Sequence, residues 1–343
     1  MKIAVDAQLA VGTATGIGEY VTGLIRGLRA HGIDVAQLQA PNLDPWRFDR
    51  RVLWDQVLLP AAVRRSGADV VHCASGTMPL FSNRPTVVTV HDVAWFRTQE
   101  HARLYARYYF GPFSLARYRR ARQIVVDSEF SRTELLQFVS TPFWRVTVVY
   151  PGVADDYCTL VRKPDREPFI LTVGTVEPRK NLAVVIRALR DIPGGIKLVV
   201  AGPATPYQDQ CKQLAEKVGV SDRIEWRGYV AREDLLDLFA RATALVMPSK
   251  YEGFGYGAAQ ALCAAVPLVA SNSSSLPEIV GGQAPTLDPD EAPLWSGALN
   301  AILADREKAQ ARADAIRHGA VTRFAWRSSI ARICNVYESA LAG

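Results

Sequence analysis

The chain has few cysteines, and their spacing does not fit a disulfide framework or a zinc site. Five cysteines, at 73, 158, 211, 263 and 334, are scattered through 343 residues without a Cys-x-x-Cys pair. Lone thiols of this kind are typical of buried, reduced cysteines. Histidines are equally few, and no His-x3-His motif or acidic cluster accompanies them. We therefore expect no metal and no cofactor.

Long apolar runs are also missing. No stretch of 18 apolar residues occurs, and Met1 leads directly into a strand pattern rather than into a charged and then apolar leader. We therefore expect neither a membrane span nor secretion, and we predict a cytoplasmic protein. With 49% apolar and 22% charged residues the composition is that of a globular protein, and 343 residues favour two domains.

Strand and helix patterns alternate along both halves of the chain. Buried-strand patterns occur at 2–6, 35–38, 69–72, 87–91 and 124–127, and again at 169–173, 197–201, 224–226, 244–247 and 268–270. They predict an α/β fold of two Rossmann-like, doubly wound parallel-sheet domains with a cleft between them. We place the domains at 1–160 and 161–323, followed by a helix over 324–343. Ligands are expected at the carboxyl ends of the strands.

The stretch 250–282 contains a glycine turn between a strand and a helix. Pro248 and Ser249 end the strand, and Glu252-Gly-Phe-Gly255 leads into a small-residue helix predicted over 257–265. Such a turn presents backbone N–H groups and the positive end of a helix dipole, which suits an anion. Glu252 and Gln260, eight residues apart, are candidates for lining one wall of a site. The alternative is an acidic residue that only complements the dipole.

Two further strand ends carry candidate ligand-binding residues. His91 follows the strand at 86–90, where it either contacts a ligand or bonds a backbone carbonyl for structural reasons. Arg179 and Lys180 precede a helix that Asn181 is expected to cap. Cations at that end oppose the helix dipole, so we interpret the pair as a diphosphate site, with a solvated basic pair as the alternative.

The loop at 11–18 contains three glycines between the first strand and the first helix. It fits a phosphate-binding turn, and it also differs by one residue from a dehydrogenase fingerprint. However, no tyrosine is followed by lysine four residues later, and the regular G-x-G-x-x-G is absent. An NAD(P)-dependent oxidoreductase is therefore the weaker alternative.

Together these motifs resemble family 4 of the retaining GT-B glycosyltransferases, in particular its mannosyl- and rhamnosyltransferase-like members. The motifs that carry the resemblance run in the family's order over nearly the whole chain: Gly16-Ile-Gly18, His91-Asp92, Ser128-Glu-Phe-Ser131, Tyr150-Pro-Gly152, Gly174-Thr-Val-Glu-Pro-Arg-Lys-Asn181, Gly228-Tyr-Val230, Pro248-Ser-Lys-Tyr-Glu-Gly-Phe-Gly255 and residues 273–278. The resemblance implies a GT-B fold whose last helix returns to the first domain. It also implies metal-independent transfer of a hexose from a nucleotide-diphosphate sugar.

The resemblance also implies a role for each matching residue. Arg179 and Lys180 would hold the diphosphate, and Glu252 would contact the sugar hydroxyls together with the backbone of Gly253, Phe254 and Gly255. His91 would reach the donor sugar from the first domain. The remaining matches border the donor: Gly16 and Gly18 near the phosphate or acceptor, Tyr229 and Val230 near the base, and Ser274, Ser275 and Leu276 near the phosphates and ribose. No protein nucleophile is implied.

Two positions depart from the family pattern. Gln260 stands where the family's second glutamate usually bonds the ribose, and Thr175 stands where many relatives carry arginine. An amide keeps an acceptor and a donor but loses charge-assisted bonding, at about 1 kcal/mol per bond. Gln260 therefore indicates weaker donor binding, a deoxyribose donor such as dTDP-rhamnose, or a catalytically weakened nucleotide-sugar-binding protein. GDP-mannose is the first donor that we consider.

The acceptor side is less defined. Residues 97–122 are rich in arginine and tyrosine, which suits either an anionic membrane surface and a lipid-linked or oligosaccharide acceptor, or a helix with buried aromatics. We expect peripheral binding at the inner face of the plasma membrane, and no nucleic acid, because no recognition module is present. Asp288-Pro-Asp290 is the only Asp-x-Asp. We interpret it as a loop rather than a metal site.

Overall fold

The computed structural model describes residues 1–10, 16–44, 46–97, 108–163 and 166–342. The chain forms two compact units, one made of Met1–Gly152 with Trp326–Gly343 and the other of Val153–Ala325. We call them unit 1 and unit 2. The boundaries predicted after residues 160 and 323 differ from these by eight and two residues.

Unit 1 is built on a six-stranded, all-parallel sheet. Its strands are β1 (Lys2–Asp6), β2 (Asp34–Leu38), β3 (Val70–Cys73), β4 (Thr86–Val90), β5 (Gln123–Val126) and β6 (Val146–Val148). Their order is β2-β1-β3-β4-β5-β6. Strands β3, β4 and β5 are buried along their whole length, as expected of valine-rich strands covered on both faces.

The helices of unit 1 lie between these strands, with one exception at the carboxyl end of the chain. They are α1 (Gly16–Ala30), α2 (Phe48–Leu53), α3 (Leu59–Ser66), α4 (Ala94–Arg97), α5 (Pro112–Tyr118), α6 (Glu129–Phe138) and, after unit 2, α15 (Trp326–Ala342). A π-helical turn, Trp54–Leu58, joins α2 to α3.

Unit 2 has a second six-stranded parallel sheet. Its strands are β7 (Phe169–Val173), β8 (Lys197–Ala201), β9 (Ile224–Gly228), β10 (Ala244–Met247), β11 (Leu268–Ser271) and β12 (Thr286–Leu287). The order is β12-β11-β10-β7-β8-β9, so the chain reverses direction across the sheet between β7 and β10. In Rossmann-like sheets this reversal point is where ligands bind, outside the carboxyl ends of the strands.

The helices of unit 2 cover both faces of its sheet. They are α7 (Asp155–Cys158), α8 (Leu182–Leu189), α9 (Tyr207–Val218), α10 (Arg232–Arg241), α11 (Tyr256–Cys263), α12 (Leu276–Val280), α13 (Ala292–Ala304) and α14 (Arg306–Phe324). Among the residues in the described ranges, no helix is long and apolar enough to cross a membrane.

The predicted class of two doubly wound parallel sheets is confirmed. All ten predicted strands are present: four have the predicted bounds, and the other six are shifted by one or two residues. The prediction missed β6 and β12, which are three and two residues long and lie at the edge of their sheets. Strands this short carry almost no periodic signal.

Helix α15 completes the core of unit 1. Its Ile330, Ile333 and Tyr337 are buried in the same cluster as residues of β1 and α1. Trp326 lies so close to Gly23 of α1 and to Gly152 that a Cβ on either glycine would come within 2.3 Å of the indole ring. Glycine at these two positions therefore allows α15 to pack against the rest of unit 1.

Candidate active site

The candidate site of unit 2 is a group of polar side chains at the reversal point of its sheet. The loop after β7 begins at Gly174, the loop after β10 begins at Pro248, and β7 pairs directly with β10. A small pocket between the two loops is lined by Gly174, Thr175, Lys180 and Ser249, among others. Two predicted site residues, Thr175 and Lys180, thus share one pocket.

Arg179, Lys180 and Glu252 form one ion-pair cluster across these loops. Lys180 Nζ lies 2.6 Å from Glu252 Oε1, and Arg179 Nη1 lies 3.3 Å from Glu252 Oε2. Arg179 Nη2 also pairs with Glu177 Oε1 at 2.7 Å. Two cations therefore face two carboxylates. These carboxylates stabilise the cations, whereas the helix dipole opposes them. The two carboxylates account for part of this basic pair without an anionic ligand.

The pKa of Glu252 reflects this cluster. The Glu252 side chain is only 8% exposed, and burial alone would raise its pKa. The charges of Lys180 and Arg179, together with the hydrogen bond from Lys180, outweigh burial and hold the pKa below its usual value of 4.5. Glu252 is therefore a carboxylate acceptor at neutral pH.

Asn181 does not cap α8, so that prediction was wrong. The residue is left-handed, with a φ of 49°, and its side chain makes no capping bond. Instead, Asn181 Nδ2 donates to the Pro248 carbonyl at 3.3 Å and to the Pro289 carbonyl at 2.6 Å. The side chain thereby ties together the loops that follow β7, β10 and β12.

Ser274 and Ser275 hold the backbone of the loop that carries Glu252. The Ser274 hydroxyl accepts a hydrogen bond from the Glu252 N–H at 2.9 Å. The Ser275 hydroxyl donates to the carbonyls of Glu252, at 3.0 Å, and Phe254, at 2.9 Å. Both hydroxyls are thus engaged in positioning Glu252. Contact of either serine with a phosphate or ribose stays a prediction.

Gly255 and Leu276 meet at the start of α11. Gly255 has a φ of +95°, and a Cβ added there would lie 2.6 Å from Leu276 Cδ2. The turn therefore requires glycine for both its backbone conformation and its packing. Leu276 is fully buried, and its side chain packs beneath the loop.

Phe254 and Gln260 are both buried. The Phe254 ring packs edge-to-face on Phe324, with centroids 5.8 Å apart. Gln260 is 5% exposed and lies on α11, which begins at Tyr256. Its carboxamide makes no hydrogen bond within the described part of the chain. Glu252 lies before that helix rather than on it.

The predicted base-binding residues and the Asp-x-Asp are not part of this ion-pair cluster. Tyr229 and Val230 follow β9, the edge strand, and the Tyr229 side chain is 53% exposed. The Asp-x-Asp lies in a turn, where Asp290 pairs with Lys250 at 2.5 Å and Asp288 Oδ1 accepts the Asp290 N–H. Within the described ranges, no group of three metal-ligating side chains is found.

His91 lies at the carboxyl end of the sheet in unit 1. Its Nδ1 lies 2.7 Å from Asp127 Oδ2, and its Nε2 lies 3.1 Å from the Ala74 carbonyl. Because both partners are acceptors, this geometry favours an imidazolium with a proton on each nitrogen. Burial lowers the pKa of His91, but Asp127 outweighs burial and the net pKa is raised. Burial also raises the pKa of the Asp127 carboxyl, an effect that His91 partly offsets.

The position of His91 is therefore compatible with both a structural role and a ligand contact. The bond to the Ala74 carbonyl is the structural role, while the strand-end position is the one expected of a ligand contact. Contact with a donor sugar stays a prediction. Gly16 and Gly18 form the first turn of α1, and residues 11–15 of the preceding loop lie outside the described ranges.

Within the described ranges, the arginine- and tyrosine-rich segment 97–122 is not one continuous helix, and its part in membrane binding stays a prediction. Gly111 interrupts it before α5. Arg117 is fully buried, donating to the carbonyls of Met78 and Tyr109 and stacking on the Tyr109 ring. Arg119 and Arg120 are exposed. Residues 98–107, with Arg103 and Arg107, lie outside the described ranges.

Two partners of the predicted residues, Asp127 and Glu177, were not predicted from the sequence, nor was the role of Asn181. Asp127 ends the strand next to that of His91, and adjacent strand ends were a usable signal. Glu177 lies inside the motif at 174–181, two residues before Arg179. The part that Asn181 plays in joining three loops has no sequence signal, because its partners are backbone carbonyls far along the chain.

The known proteins that this sequence resembles are glycosyltransferases. The sequence model of glycosyl transferases group 1 matches residues 160–319, and that of glycosyltransferase family 4 matches residues 14–157. The chain is 30% identical over 280 residues to O-antigen chain mannosyltransferase B of Escherichia coli, covering 74% of this chain and 70% of that protein. Over 236 residues it is 26% identical to D-inositol 3-phosphate glycosyltransferase of Mycolicibacterium smegmatis, covering 65% of this chain and 54% of that one.

Solved structures show the same fold. Sucrose-phosphate synthase of Thermosynechococcus elongatus superposes with a TM-score of 0.80 at 19% identity, covering 100% of this chain and 99% of that one. Anabaena HepE in complex with UDP and glucose gives 0.75 at 19% identity, covering 99% and 100%. The lipopolysaccharide glycosyltransferase WaaG gives 0.75 at 17% identity, covering 98% and 99%. The predicted GT-B fold is thereby confirmed. The chain belongs to glycosyltransferase family 4, within the group 1 glycosyl transferases.

Proposed function

We propose that this protein transfers a hexose from a nucleotide-diphosphate sugar to a lipid-linked or polysaccharide-precursor acceptor, in the cytoplasm, with retention of configuration and without a metal. Mannose is the first sugar to test, because the chain is 30% identical to an O-antigen mannosyltransferase. Rhamnose is the second. The observation that carries the proposal is the cluster of Arg179, Lys180 and Glu252 at the reversal point of a Rossmann-like sheet.

The cluster supplies the groups that sugar transfer needs. The departing nucleotide diphosphate requires stabilisation of its negative charge, and Arg179 and Lys180 can provide a guanidinium fork and a point charge. When these cations turn to a diphosphate, Glu252 is left to accept hydrogen bonds from sugar hydroxyls. The ion pairs seen here would then hold the three side chains in position until the donor arrives.

A nucleotide-release assay over a panel of donors tests this directly. GDP-mannose, dTDP-rhamnose and UDP-glucose would be offered with a saccharide acceptor extract, each with and without EDTA. We expect release with one donor and no loss in EDTA, and the product's anomeric coupling by NMR should match that of the donor. Binding without turnover of any donor would contradict the enzyme function.

The second candidate is a nucleotide-sugar-binding protein with weakened catalysis. Gln260 favours it, because its buried carboxamide replaces a carboxylate and makes no bond within the described residues. Gln260→Glu should tighten donor binding by about fivefold or more, since it restores a charge-assisted bond. The matched control is Gln213→Glu, which adds the same charge at an exposed position of α9. Equal affinities of the two variants would contradict a ribose contact at 260.

A further inference from the structure

Three segments of unit 1 lead into three neighbouring strands of its sheet. Residues 79–85 precede β4, residues 119–122 precede β5, and residues 139–145 precede β6. These strands are parallel and adjacent, so their amino ends lie at the same edge of the sheet. That edge is opposite to the one where His91 and Asp127 lie. We call these three segments the amino-edge surface.

Large apolar side chains are exposed on the amino-edge surface. Phe81 is 72% exposed, Phe143 is 60% exposed and Trp144 is 62% exposed. One exposed aromatic residue needs no explanation, but several on one edge indicate an interaction site. Phenylalanine and tryptophan side chains are also those that settle at the boundary between lipid headgroups and acyl chains.

The charge of the surface has a single sign. Its three segments contain Arg84, Arg119, Arg120, Arg122 and Arg145, and no aspartate or glutamate. Arg84, Arg119 and Arg120 are exposed. Exposed carboxylates, Glu129 and Asp69, occur only in the flanking segments. Three segments with cations alone attract an anionic partner, at about 1 kcal/mol for each arginine near a charged membrane.

The cations and the rings are held next to one another. The Arg120 guanidinium lies 4.9 Å from the Phe81 ring centroid and donates to the Leu80 carbonyl at 3.3 Å. Arg132 of α6, which also pairs with Glu129 of the same helix, lies 4.4 Å from the Phe143 ring centroid. An arginine that stacks on an exposed ring brings a positive charge and an apolar surface together. This combination suits a lipid membrane, in which anionic headgroups cover an apolar interior.

We propose that the amino-edge surface binds an anionic lipid membrane, with Phe81, Phe143 and Trp144 entering the headgroup layer and the arginines pairing with lipid phosphates. This differs from membrane binding through the whole segment 97–122, since Arg117 is buried and only its end belongs to the surface. The proposal is independent of the transfer reaction. It concerns the edge of the sheet away from the candidate residues of unit 1.

Vesicle sedimentation of the full chain tests the proposal. Vesicles of phosphatidylcholine alone and mixed with phosphatidylglycerol would be compared at low and high salt. We expect binding to the anionic vesicles that weakens with salt. Arg119→Gln with Arg120→Gln should lower the partition coefficient by about 25-fold, that is about fivefold for each charge. Phe143→Ser with Trp144→Ser should weaken binding at both salt concentrations.

Matched controls use exposed residues elsewhere in unit 1. Arg47→Gln with Arg50→Gln removes two exposed arginines at the start of α2, on the carboxyl side of β2, and Trp46→Ser removes an aromatic residue that is 58% exposed. Both should bind anionic vesicles as the wild type does. Thermal unfolding of all variants checks that the fold is intact.

Trp144 fluorescence gives a second measurement. Anionic vesicles should shift the emission of the wild type to shorter wavelength, and Trp144→Phe should lose that shift while still binding. The proposal is overturned if the wild type does not sediment with anionic vesicles at low salt, or if the charge variants bind as the controls do. It is also overturned if a mixed-sequence oligonucleotide is bound and the vesicles are not.

Discussion

Lys180 Nζ lies 2.6 Å from Glu252 Oε1, and the two side chains come from the loops after the neighbouring strands β7 and β10. The ion pair thus joins two loops that are 72 residues apart in sequence. It fixes the loop that carries the glutamate and favours the ionised form of Glu252. Several consequences can be measured.

The first prediction concerns the stability of unit 2. Lys180→Met leaves Glu252 buried with Arg179 as its remaining cation, so the free energy of unfolding should fall by about 1–3 kcal/mol. Glu252→Gln added to Lys180→Met should recover part of that loss, because the buried charge is gone. Urea unfolding of the two single variants and the double variant gives the coupling. Strictly additive losses would show that the pair contributes nothing.

A second prediction concerns transfer itself. Lys180→Ala and Glu252→Ala should each abolish transfer with the fold intact, because one loses the diphosphate contact and the other the sugar contact. Lys250→Ala is the matched control: its cation pairs with Asp290 at the surface. Donor turnover and circular dichroism are the measurements. Transfer by either site variant at the rate of the control would refute its assigned role.

The pH dependence of stability follows from Glu252. Its pKa in the folded protein lies below the usual 4.5, so its stabilising contribution is complete above pH 4.5 and is lost as the pH falls through the lowered value. The difference in unfolding free energy between the wild type and Glu252→Gln should therefore shrink on acidification below pH 4.5. A difference that stays constant on acidification would contradict an ionised, paired glutamate.

His91 should show the opposite sign. Its folded pKa is raised above the usual 6.5, so its pairing stabilises unit 1 below pH 6.5 and that contribution is lost as the pH rises through the raised value. NMR titration of the ring, assigned with His91→Asn, should give a midpoint above 6.5. Asp127→Asn should lower the midpoint, whereas Asp34→Asn at an exposed ion pair should not.

Gly255 provides a prediction about the turn before α11. Gly255→Ala introduces a Cβ at 2.6 Å from Leu276 Cδ2 on a backbone with φ of +95°, and should destabilise unit 2 by about 1–3 kcal/mol. Gly297→Ala in the middle of α13 meets no atom within 4 Å and should stabilise by about 0.5–1 kcal/mol. If chemical denaturation shows that Gly255→Ala lowers the free energy of unfolding and Gly297→Ala raises it, strain at Gly255 is supported. Equal changes in the two variants would contradict it.

The sequence predicted the architecture well because buried parallel strands carry a strong signal. Runs such as Phe169–Val173 and Ala244–Met247 are almost entirely apolar, and their ends were placed correctly. The two short edge strands were missed, since two or three residues carry no period. The family was also readable, because its motifs fall in order at strand ends.

The bonds within the site were harder to predict. Glu252, Arg179 and Lys180 were chosen for a ligand, but no pattern showed that they pair with one another across 72 residues. Asn181 fits the rule for a helix cap, and its left-handed backbone and distant carbonyl partners override that rule. Arg117 was grouped with the arginines of a possible membrane surface. The sequence does not show that backbone carbonyls bind its guanidinium in the interior.

Helix α15 bears on how the chain folds as it is synthesised. Unit 2 is one continuous stretch, Val153–Ala325, whereas unit 1 needs Trp326–Ala342 to fill the core that Ile330, Ile333 and Tyr337 complete. The domain that leaves the ribosome first is therefore the one that finishes last. Until α15 arrives, the α1 face around Gly23 stays uncovered, and a nascent chain that stalls before Trp326 presents that face to chaperones.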